Sequence, residues 1–193
     1  MIKKAELYKT AYRKDQLPPE DKPEVAFAGR SNVGKSSLLN SLMKIKIAKI
    51  SSKPGKTRSI NYYLVNDKYY FVDLPGYGFA SVAKTEKAKW NDLMDDYFTN
   101  RMSLRMVYVL IDHRHKPQKN DHMMIQWLKS MNLPFMIVLT KSDKLKQSER
   151  IKKLKEIKRD LSIYGEYLYF QTSASKNKGM EELTESILTV LKG

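Results

Sequence analysis

A glycine-rich segment carries the clearest chemistry in the chain. It reads Gly29-Arg30-Ser31-Asn32-Val33-Gly34-Lys35-Ser36. This matches the pattern G-x-x-x-x-G-K-S between an apolar run and a helical pattern, which is the context the motif needs. Glycines let the backbone approach phosphate oxygens, and successive N–H groups form a nest at the start of a helix. We predict that Lys35 contacts the β- and γ-phosphates of a nucleotide and that Ser36 ligates Mg²⁺.

Two further segments complete a phosphate and metal site. Asp73 ends an aromatic and β-branched run and begins Asp73-Leu74-Pro75-Gly76. Its carboxylate can hold Mg²⁺, directly or through water, and the Gly76 N–H can meet a γ-phosphate. Thr57 lies in the loop Lys53-Pro54-Gly55-Lys56-Thr57. It is either a Mg²⁺ ligand that orders this loop when a γ-phosphate is present or a solvated loop residue.

A fourth segment selects the base. Thr140-Lys141-Ser142-Asp143 follows the apolar run 135–139. The Asp143 carboxylate can accept hydrogen bonds from guanine N1–H and N2–H₂, a donor pair that adenine lacks, so the sequence favours GTP over ATP. Lys141 can lie along the base and brace the phosphate loop. After the strand pattern 167–171, the small residues Thr172-Ser173-Ala174 let a backbone N–H reach guanine O6.

These segments define the predicted site. The candidate metal ligands are Ser36, Thr57 and Asp73, and the candidate catalytic residues are Lys35, Thr57 and Gly76. The candidate nucleotide-binding residues are Gly29, Arg30, Ser31, Asn32, Val33, Gly34, Lys35, Ser36, Ser37, Gly55, Lys56, Thr57, Arg58, Ser59, Asp73, Leu74, Pro75, Gly76, Thr140, Lys141, Ser142, Asp143, Thr172, Ser173 and Ala174.

Strands that alternate with helices must position these segments. Strand patterns cover 24–28, 60–65, 69–73, 104–111, 134–139 and 167–171, and helical patterns cover 35–43, 84–101, 124–131, 148–161 and 180–191. We expect an α/β, three-layer P-loop GTPase fold with a mostly parallel six-stranded sheet and helices on both faces. The chain, 1–193, is read as one GTP-binding domain, with 1–22 as an N-terminal extension that leads into the first core strand. The motifs then fall at the carboxyl ends of strands, where such folds bind ligands.

Composition narrows the class of protein. The chain has 193 residues, a net charge of +15, 30% charged residues and no cysteine, which excludes disulfides and cysteine-based zinc sites. It has no apolar run long enough to cross a bilayer, and we expect a cytoplasmic protein that does not bind membranes. Basic residues concentrate in 44–58 and 144–160. Each run is either a surface that binds nucleic acid or a solvated face.

The combined motifs resemble one family over residues 5–190. The segments 29–37, 52–57, 73–78 and 112–115 are similar to the EngB (YsxC/YihA) family of bacterial ribosome-biogenesis GTPases, within the TrmE-Era-EngA-EngB-Septin-like superfamily. The resemblance implies a role in assembly of the large ribosomal subunit, with ribosomal RNA as a partner, and a requirement for normal septation and cell division. We expect a monomer. Arg58 departs from the family pattern, which has glutamine after the loop threonine, and adds a charge near the phosphates.

The residue after Gly76 bears on catalysis. Many signalling GTPases carry glutamine there to orient the attacking water, but this chain has Tyr77, so we predict slow intrinsic hydrolysis. Three groups can compensate: K⁺ bound near Asn32, Arg58 acting in cis, or the ribosome acting in trans. We favour the ribosome, assisted by K⁺. The other interpretation of Asn32 is a side chain that braces the loop.

Other readings stay open at this point. The chain could be a small ATP-using P-loop enzyme, or an RNA-binding module whose nucleotide site is structural. We expect His113 and His115 to brace a loop or lie on the surface, because their spacing suits zinc poorly. Asn66-Asp67 between the strand patterns 60–65 and 69–73 predicts a turn and therefore a β-hairpin. The aromatic residues of this hairpin are expected to pack in the core rather than stack on RNA; they are Tyr62, Tyr63, Tyr69, Tyr70 and Phe71.

Overall fold

The computed structural model of the protein describes residues 1–45, 59–77 and 84–193, with the backbone alone for 84–90. Within these ranges, the strands are β1 (Ala5–Ala11), β2 (Glu24–Gly29), β3 (Ile60–Val65), β4 (Tyr69–Asp73), β5 (Leu104–Asp112), β6 (Phe135–Thr140) and β7 (Tyr169–Gln171). The α-helices are α1 (Lys35–Met43), α2 (Lys84–Asn100), α3 (Lys119–Ser130), α4 (Gln147–Leu161) and α5 (Met180–Lys192).

The strands form one mixed sheet in the order β1-β3-β4-β2-β5-β6-β7. From β4 to β7 across the sheet every neighbouring pair is parallel, whereas β3 pairs antiparallel with both β1 and β4. The predicted α/β class and the mostly parallel sheet are therefore confirmed. All six predicted strands are present, although the last is shorter than the predicted 167–171.

The predicted strand count was wrong by one. The extra strand, β1, lies inside the segment read as an N-terminal extension, and it forms the edge of the sheet against β3. Four of its seven residues, from Glu6 to Lys9, are exposed, and its pairing shifts register between Leu7 and Lys9. A clean period-2 pattern is therefore lacking, because backbone pairing with β3, rather than burial of one face, fixes this strand.

The turn between β3 and β4 follows the sequence prediction. Asn66 and Asp67 both have positive φ, 51° and 56°, and the Lys68 N–H donates to the Val65 carbonyl at 3.1 Å. Two left-handed central residues match the right-handed twist of the flanking strands, which is why Asn and Asp suit this turn. The predicted hairpin is confirmed.

Helices cover both faces of the sheet. Side chains of β5 alternate between two cores, with Val107 and Val109 in one and Tyr108 and Leu110 in the other. The first core is closed by α2, α3 and α4 through Leu93, Met94, Tyr97, Met124, Ile125, Leu128, Ile157 and Leu161. The second is closed by α1 and α5 through Leu38, Leu39, Leu42, Leu183 and Ile187. The predicted three layers and helices are confirmed. The side chain of Trp90, within the helical pattern predicted over 84–101, lies outside the described residues.

Hairpin rings pack inside these cores, as predicted. Tyr62, Tyr63, Tyr70 and Phe71 are buried, and Tyr69 packs against the second core. The Tyr62 and Tyr70 rings meet edge to face with centroids 5.7 Å apart. Their exposure is too small for stacking on a nucleic-acid base.

The parallel strands direct their carboxyl ends to one edge of the sheet. Gly29, Asp73, Asp112 and Thr140 end β2, β4, β5 and β6 at that edge. The folded chain therefore gathers segments that are far apart in sequence. No helix among the described residues is long and apolar enough to span a membrane.

Candidate functional site

The phosphate loop, residues 29–36, joins β2 to α1. Gly34 has a φ of +107°, which strains any other residue, and a Cβ on Gly29 would lie 2.8 Å from Val33 Cγ1. Helix α1 begins at Lys35 without a side-chain cap or an acidic residue in its first turn. Its first N–H groups therefore point into the loop, where they can meet an anion.

Lys35 and Asp73 lie together at the mouth of this loop. The Lys35 ammonium donates a hydrogen bond to the Asp73 carboxylate, and their side chains are only 10% and 5% exposed. Each charge neutralises the other in this conformation. A nucleotide phosphate would offer Lys35 a competing anion, and Asp73 with the half-buried Ser36 supplies the oxygen donors that Mg²⁺ prefers. Lys35, Ser36 and Asp73 therefore fit both a nucleotide phosphate and Mg²⁺.

The segment after Asp73 runs beside the phosphate loop. The Tyr77 N–H donates to the Gly29 carbonyl at 3.3 Å, and the Ser31 N–H donates to the Tyr77 carbonyl at 3.4 Å. A Cβ on Gly76 would meet the Ser31 hydroxyl oxygen at 3.2 Å, so this close approach favours glycine. Gly76 is thus placed beside the loop that is predicted to hold phosphates.

Tyr77 is buried with its side chain directed into the core. Its hydroxyl donates to Asp121 Oδ1 at 3.0 Å, and Asp121 Oδ2 accepts the Gln118 N–H at 2.8 Å, which caps α3. Burial raises the pKa of Asp121, although these hydrogen bonds oppose the shift. Sequence reasoning identified Tyr77 as a poor substitute for glutamine but missed this anchoring role. The phenol ties Tyr77, which directly follows Gly76, to α3.

Replacing Tyr77 by phenylalanine should separate these roles. The loss of the hydroxyl leaves Asp121 Oδ1 without its donor, so we expect the free energy of unfolding to fall by about 1–3 kcal/mol. The predicted GTP hydrolysis should stay within about twofold, because the hydroxyl is bonded to Asp121 of α3. Urea unfolding and single-turnover hydrolysis measure the two quantities, with the exposed Tyr12→Phe as control. A large loss of hydrolysis in a folded Tyr77→Phe protein would contradict this account.

The base loop, residues 140–143, is tied to the phosphate loop. Thr140 Oγ1 donates to the Val33 carbonyl at 2.6 Å, and Lys141 Nζ donates to the Asn32 carbonyl at 2.6 Å. The predicted bracing by Lys141 is therefore present. It uses the carbonyl of Asn32, whereas the Asn32 side chain is exposed.

Asp143 is held by the loop that follows β7. Ser173 Oγ donates to Asp143 Oδ1 at 2.7 Å, and Ser175 Oγ lies 3.3 Å from Oδ2. The hydrogen bond from Ser173 lowers the pKa of Asp143, so the carboxylate stays ionised at neutral pH. An ionised carboxylate accepts hydrogen bonds without donating any, as recognition of guanine N–H groups requires. The Thr172-Ser173-Ala174 segment thus lies beside the base loop.

Some predicted site residues cannot be placed. Gly55, Lys56, Thr57 and Arg58 lie outside the described residues, and so does most of the basic run 44–58. Ser59 is described and buried, and Ser37 is half-buried in the first turn of α1. The described part of the site therefore contains two of the three predicted metal ligands, Ser36 and Asp73.

The end of β5 contributes residues that the site prediction did not include. His113 is fully buried, and its Nδ1 lies 2.8 Å from Ser142 Oγ in the base loop. This fits the loop-bracing interpretation. His122 instead contacts Tyr164 and Asp160. Among the described residues, no group of three or more His, Cys, Asp or Glu side chains could hold a metal.

Acidification should destabilise the folded protein through the buried His113 imidazole. Burial lowers the pKa of its imidazole, so below about pH 6.5 the unfolded chain takes up a proton that the folded chain resists. The free energy of unfolding should therefore fall as pH drops below this value, by at most about 1.4 kcal/mol per pH unit from this group. Urea unfolding at several pH values should show a smaller dependence in His113→Asn. The exposed His115→Asn should keep the full dependence; equal slopes in all three proteins would contradict the prediction.

The fold and the site together define a class of protein. Three segments lie at one edge of the sheet in this three-layer α/β fold: a phosphate loop, a D-x-x-G segment and a base loop with an ionised aspartate. P-loop GTP-binding proteins have the same arrangement. A family model described as "50S ribosome-binding GTPase" matches residues 24–141.

Relatives narrow the class to one family. The probable GTP-binding protein EngB of Petrotoga mobilis is 60% identical over 190 residues, covering 98% of this chain and 97% of that protein. The corresponding protein of Thermotoga petrophila is 58% identical over 192 residues, covering 100% and 98%. A crystal structure of a probable GTP-binding protein EngB matches with a TM-score of 0.67 and 25% identity, covering 88% of this chain and 98% of that one. This chain belongs to the EngB family of P-loop GTPases.

Proposed function

We propose that this protein is a GTP- and GDP-binding switch that hydrolyses GTP slowly and acts in assembly of the large ribosomal subunit. One observation carries the nucleotide part of the proposal. Thr140 and Lys141 of the base loop are hydrogen-bonded to carbonyls of the phosphate loop, at 2.6 Å each. These bonds therefore hold the groups suited to a guanine base at a fixed spacing from the groups suited to phosphates, as a guanine nucleotide requires.

The phosphate side of the site would work mainly by charge and position. Lys35 would leave Asp73 and contact the β- and γ-phosphates, while the N–H groups of the phosphate loop hold the remaining oxygens. Ser36, Thr57 and Asp73 would hold Mg²⁺, which neutralises charge on the phosphates when bound. The Gly76 N–H would meet the γ-phosphate, so loss of that group would release the segment that follows it.

The base side would select guanine. Asp143 would exchange the hydroxyls of Ser173 and Ser175 for guanine N1–H and N2–H₂. Lys141 would lie along the base plane while its ammonium remains on the Asn32 carbonyl. A backbone N–H of residues 172–174 would meet guanine O6. Adenine would leave Asp143 desolvated without matching donors, which is costly.

Hydrolysis would depend on positioning rather than on a general base. Tyr77 is buried against Asp121, so the intact site would lack a side chain at the glutamine position that orients water. We propose that the ribosome completes the site in trans with help from K⁺, rather than that Arg58 acts in cis. Slow hydrolysis by the isolated protein follows.

The proposed K⁺ site makes a direct prediction. The exposed Asn32 side chain projects from the phosphate loop, where it could ligate a monovalent cation beside the phosphates. Hydrolysis should therefore be faster in KCl than in NaCl at the same ionic strength, by about tenfold or more if the ion supplies part of the charge of an arginine finger. Asn32→Ala should remove the difference. Equal rates in the two salts would sink this part of the mechanism.

Several observations support a ribosomal partner. The matching family model carries the name "50S ribosome-binding GTPase", and a structure of Era with nucleotides 1506–1542 of 16S ribosomal RNA matches with a TM-score of 0.68 and 25% identity, covering 89% of this chain and 57% of that one. Near the base loop, exposed basic side chains line the start and outer face of α4; they are Lys144, Lys146, Lys152, Lys155, Lys158 and Arg159. Such a face would attract ribosomal RNA.

We also propose the domain organisation, location and oligomeric state of the protein and its link to cell division. The chain would act as one GTP-binding domain, 1–193, in the cytoplasm and as a monomer, without binding membranes. Defects in septation and cell division would follow from failed ribosome assembly, rather than from a separate activity of this protein.

Sedimentation with large ribosomal subunits tests the switch. Full-length protein is run with purified subunits on a sucrose gradient in K⁺ and Mg²⁺, with a non-hydrolysable GTP analogue or with GDP. We expect comigration with the analogue and release with GDP. Binding that is equal in both states and lost as salt rises would instead indicate an RNA-binding module with a structural nucleotide site. Absence of binding in both states would contradict the ribosomal role.

A further inference from the structure

Lys141 joins three parts of the site through one ammonium group. Its Nζ donates to the Asn32 carbonyl of the phosphate loop at 2.6 Å and lies 3.1 Å from Asp112 Oδ2 at the end of β5. The side chain of Lys141 is 30% exposed, so water competes for the ammonium. A flexible four-carbon stem loses rotamer entropy when it bridges two loops, and a partner that holds it beforehand reduces that cost on binding.

Asp112 is itself fixed by Arg114. The Arg114 backbone N–H and Nε donate to Asp112 Oδ1 at 3.1 and 2.9 Å, and Nη2 donates to Oδ2 at 2.7 Å. Bonds to both oxygens set the plane of the carboxylate and aim Oδ2 at Lys141. Burial alone would raise the pKa of Asp112, but the hydrogen bonds from Arg114 and Lys141 outweigh it and lower the pKa to about 2. The carboxylate is therefore ionised at every pH at which the protein is expected to work.

We propose that Asp112, oriented by Arg114, is a positioning residue for nucleotide binding. It holds the Lys141 ammonium on the Asn32 carbonyl, so that the phosphate loop and the base loop keep their spacing before a nucleotide arrives. Asp112 lies 3.1 Å from the Lys141 ammonium and acts through that side chain. The inference rests on the proposed nucleotide-binding function and adds residues outside the predicted site.

The Asp112→Asn variant tests this role in the full-length protein. The amide removes the negative charge and can turn N–H groups toward Lys141, so GDP should bind about tenfold more weakly, as for loss of one hydrogen bond to a charged group. Titration with a fluorescent GDP derivative measures the affinity, and urea unfolding verifies the fold. The matched control is Asp67→Asn, which removes an equal charge from an exposed pair with Lys4 at 2.8 Å in the β3–β4 turn. Its GDP affinity should equal that of the unaltered protein.

A double-mutant cycle separates positioning from general loosening. In a Lys141→Met background, Asp112→Asn should change GDP affinity by no more than about twofold, because the residue through which it acts is gone. Arg114→Gln, which keeps the carboxylate but frees it to rotate, should weaken binding less than Asp112→Asn does, and it serves if Asp112→Asn fails to fold.

Three results would overturn the inference. One is normal GDP affinity in folded Asp112→Asn, or in Arg114→Gln if Asp112→Asn does not fold. Another is a full tenfold loss that persists in the Lys141→Met background. The third is failure of the unaltered protein to bind GDP, which would remove the proposed function as well and is thereby distinguishable from the first two.

Discussion

Replacement of Asp143 by asparagine is expected to weaken GDP binding by at least about 100-fold and to create binding of xanthosine diphosphate. The asparagine amide cannot accept both hydrogen bonds from guanine N1–H and N2–H₂, and its own NH₂ would face the N2 amine. Xanthine carries a carbonyl at C2, so the amide can donate there while its oxygen accepts N1–H. The variant should therefore exchange one base for the other rather than simply lose function.

The structure indicates that this exchange can occur without collapse of the loop. Asp143 is partly exposed, and its present partners are the hydroxyls of Ser173 and Ser175, which can donate to an amide oxygen or accept from its NH₂. Equilibrium binding of labelled GDP and XDP measures both affinities. Asp15→Asn, which alters an exposed pair with Arg13, is the control and should keep the normal preference. Unchanged GDP affinity in Asp143→Asn would show that Asp143 does not read the base.

The largest expected loss of stability follows replacement of Arg101 by methionine. Arg101 follows α2 at the edge of the sheet opposite the site, where Nε and Nη2 donate to the two oxygens of Glu24 at 2.9 and 3.1 Å. Nη1 donates to the Pro18 carbonyl at 2.7 Å, and the guanidinium lies over the Tyr62 ring. One side chain therefore ties together the N-terminal segment, β2 and the end of α2.

Glu24 has no exposure to solvent, and burial raises the pKa of its carboxyl despite the bonds from Arg101. Without Arg101 this buried group loses its counter-charge, so we expect the free energy of unfolding to fall by about 3–5 kcal/mol. Urea unfolding measures the change. Lys14→Met, which breaks an ion pair with Asp96 whose partners are 60% and 34% exposed, should cost below about 1 kcal/mol.

A double variant tests the reason for this loss. Glu24→Leu combined with Arg101→Met removes both charges from the buried site and should recover much of the stability lost by Arg101→Met alone. If the double variant is as unstable as the sum of the two single variants, packing rather than an unpaired charge explains the loss. A loss below about 1 kcal/mol in Arg101→Met would contradict the prediction itself.

Elements with strong local signals could be predicted from the sequence. The helical faces of α1 and α3 and the β3–β4 hairpin were predicted because each has a local physical cause. These causes are the period of 3.6 for the helices, and aromatic and β-branched runs joined by a turn of Asn and Asp for the hairpin. Strand β1 was not predicted, because its exposed residues give no alternating pattern and only pairing with β3 defines it. The pair of Arg101 and Glu24 joins residues 77 apart in sequence, and no spacing rule signals such a contact.

The residues of the site likewise divide into those that local sequence predicts and those that depend on contacts between distant segments. Residues within the contiguous motifs could be proposed because each motif fixes its own chemistry over a few positions. Asp112 and Arg114 were noted only as part of a family-like segment, since their contact with Lys141 depends on β5 and β6 being neighbours. Burial of Tyr77 on Asp121 likewise depends on where α3 begins. A signal was present in the polar residues at the end of β5, an edge where parallel sheets gather functional groups.

Competition for one binding site tests the central claim most directly. The unaltered protein is loaded with fluorescent GDP in Mg²⁺ and titrated with unlabelled GTP or ATP. If Asp143 recognises guanine in a base loop that is hydrogen-bonded to the phosphate loop, GTP should displace the label. ATP should then need at least about 1,000-fold higher concentration. Displacement by ATP at the same concentration as GTP would contradict the account, because the site would then recognise phosphates without reading the base.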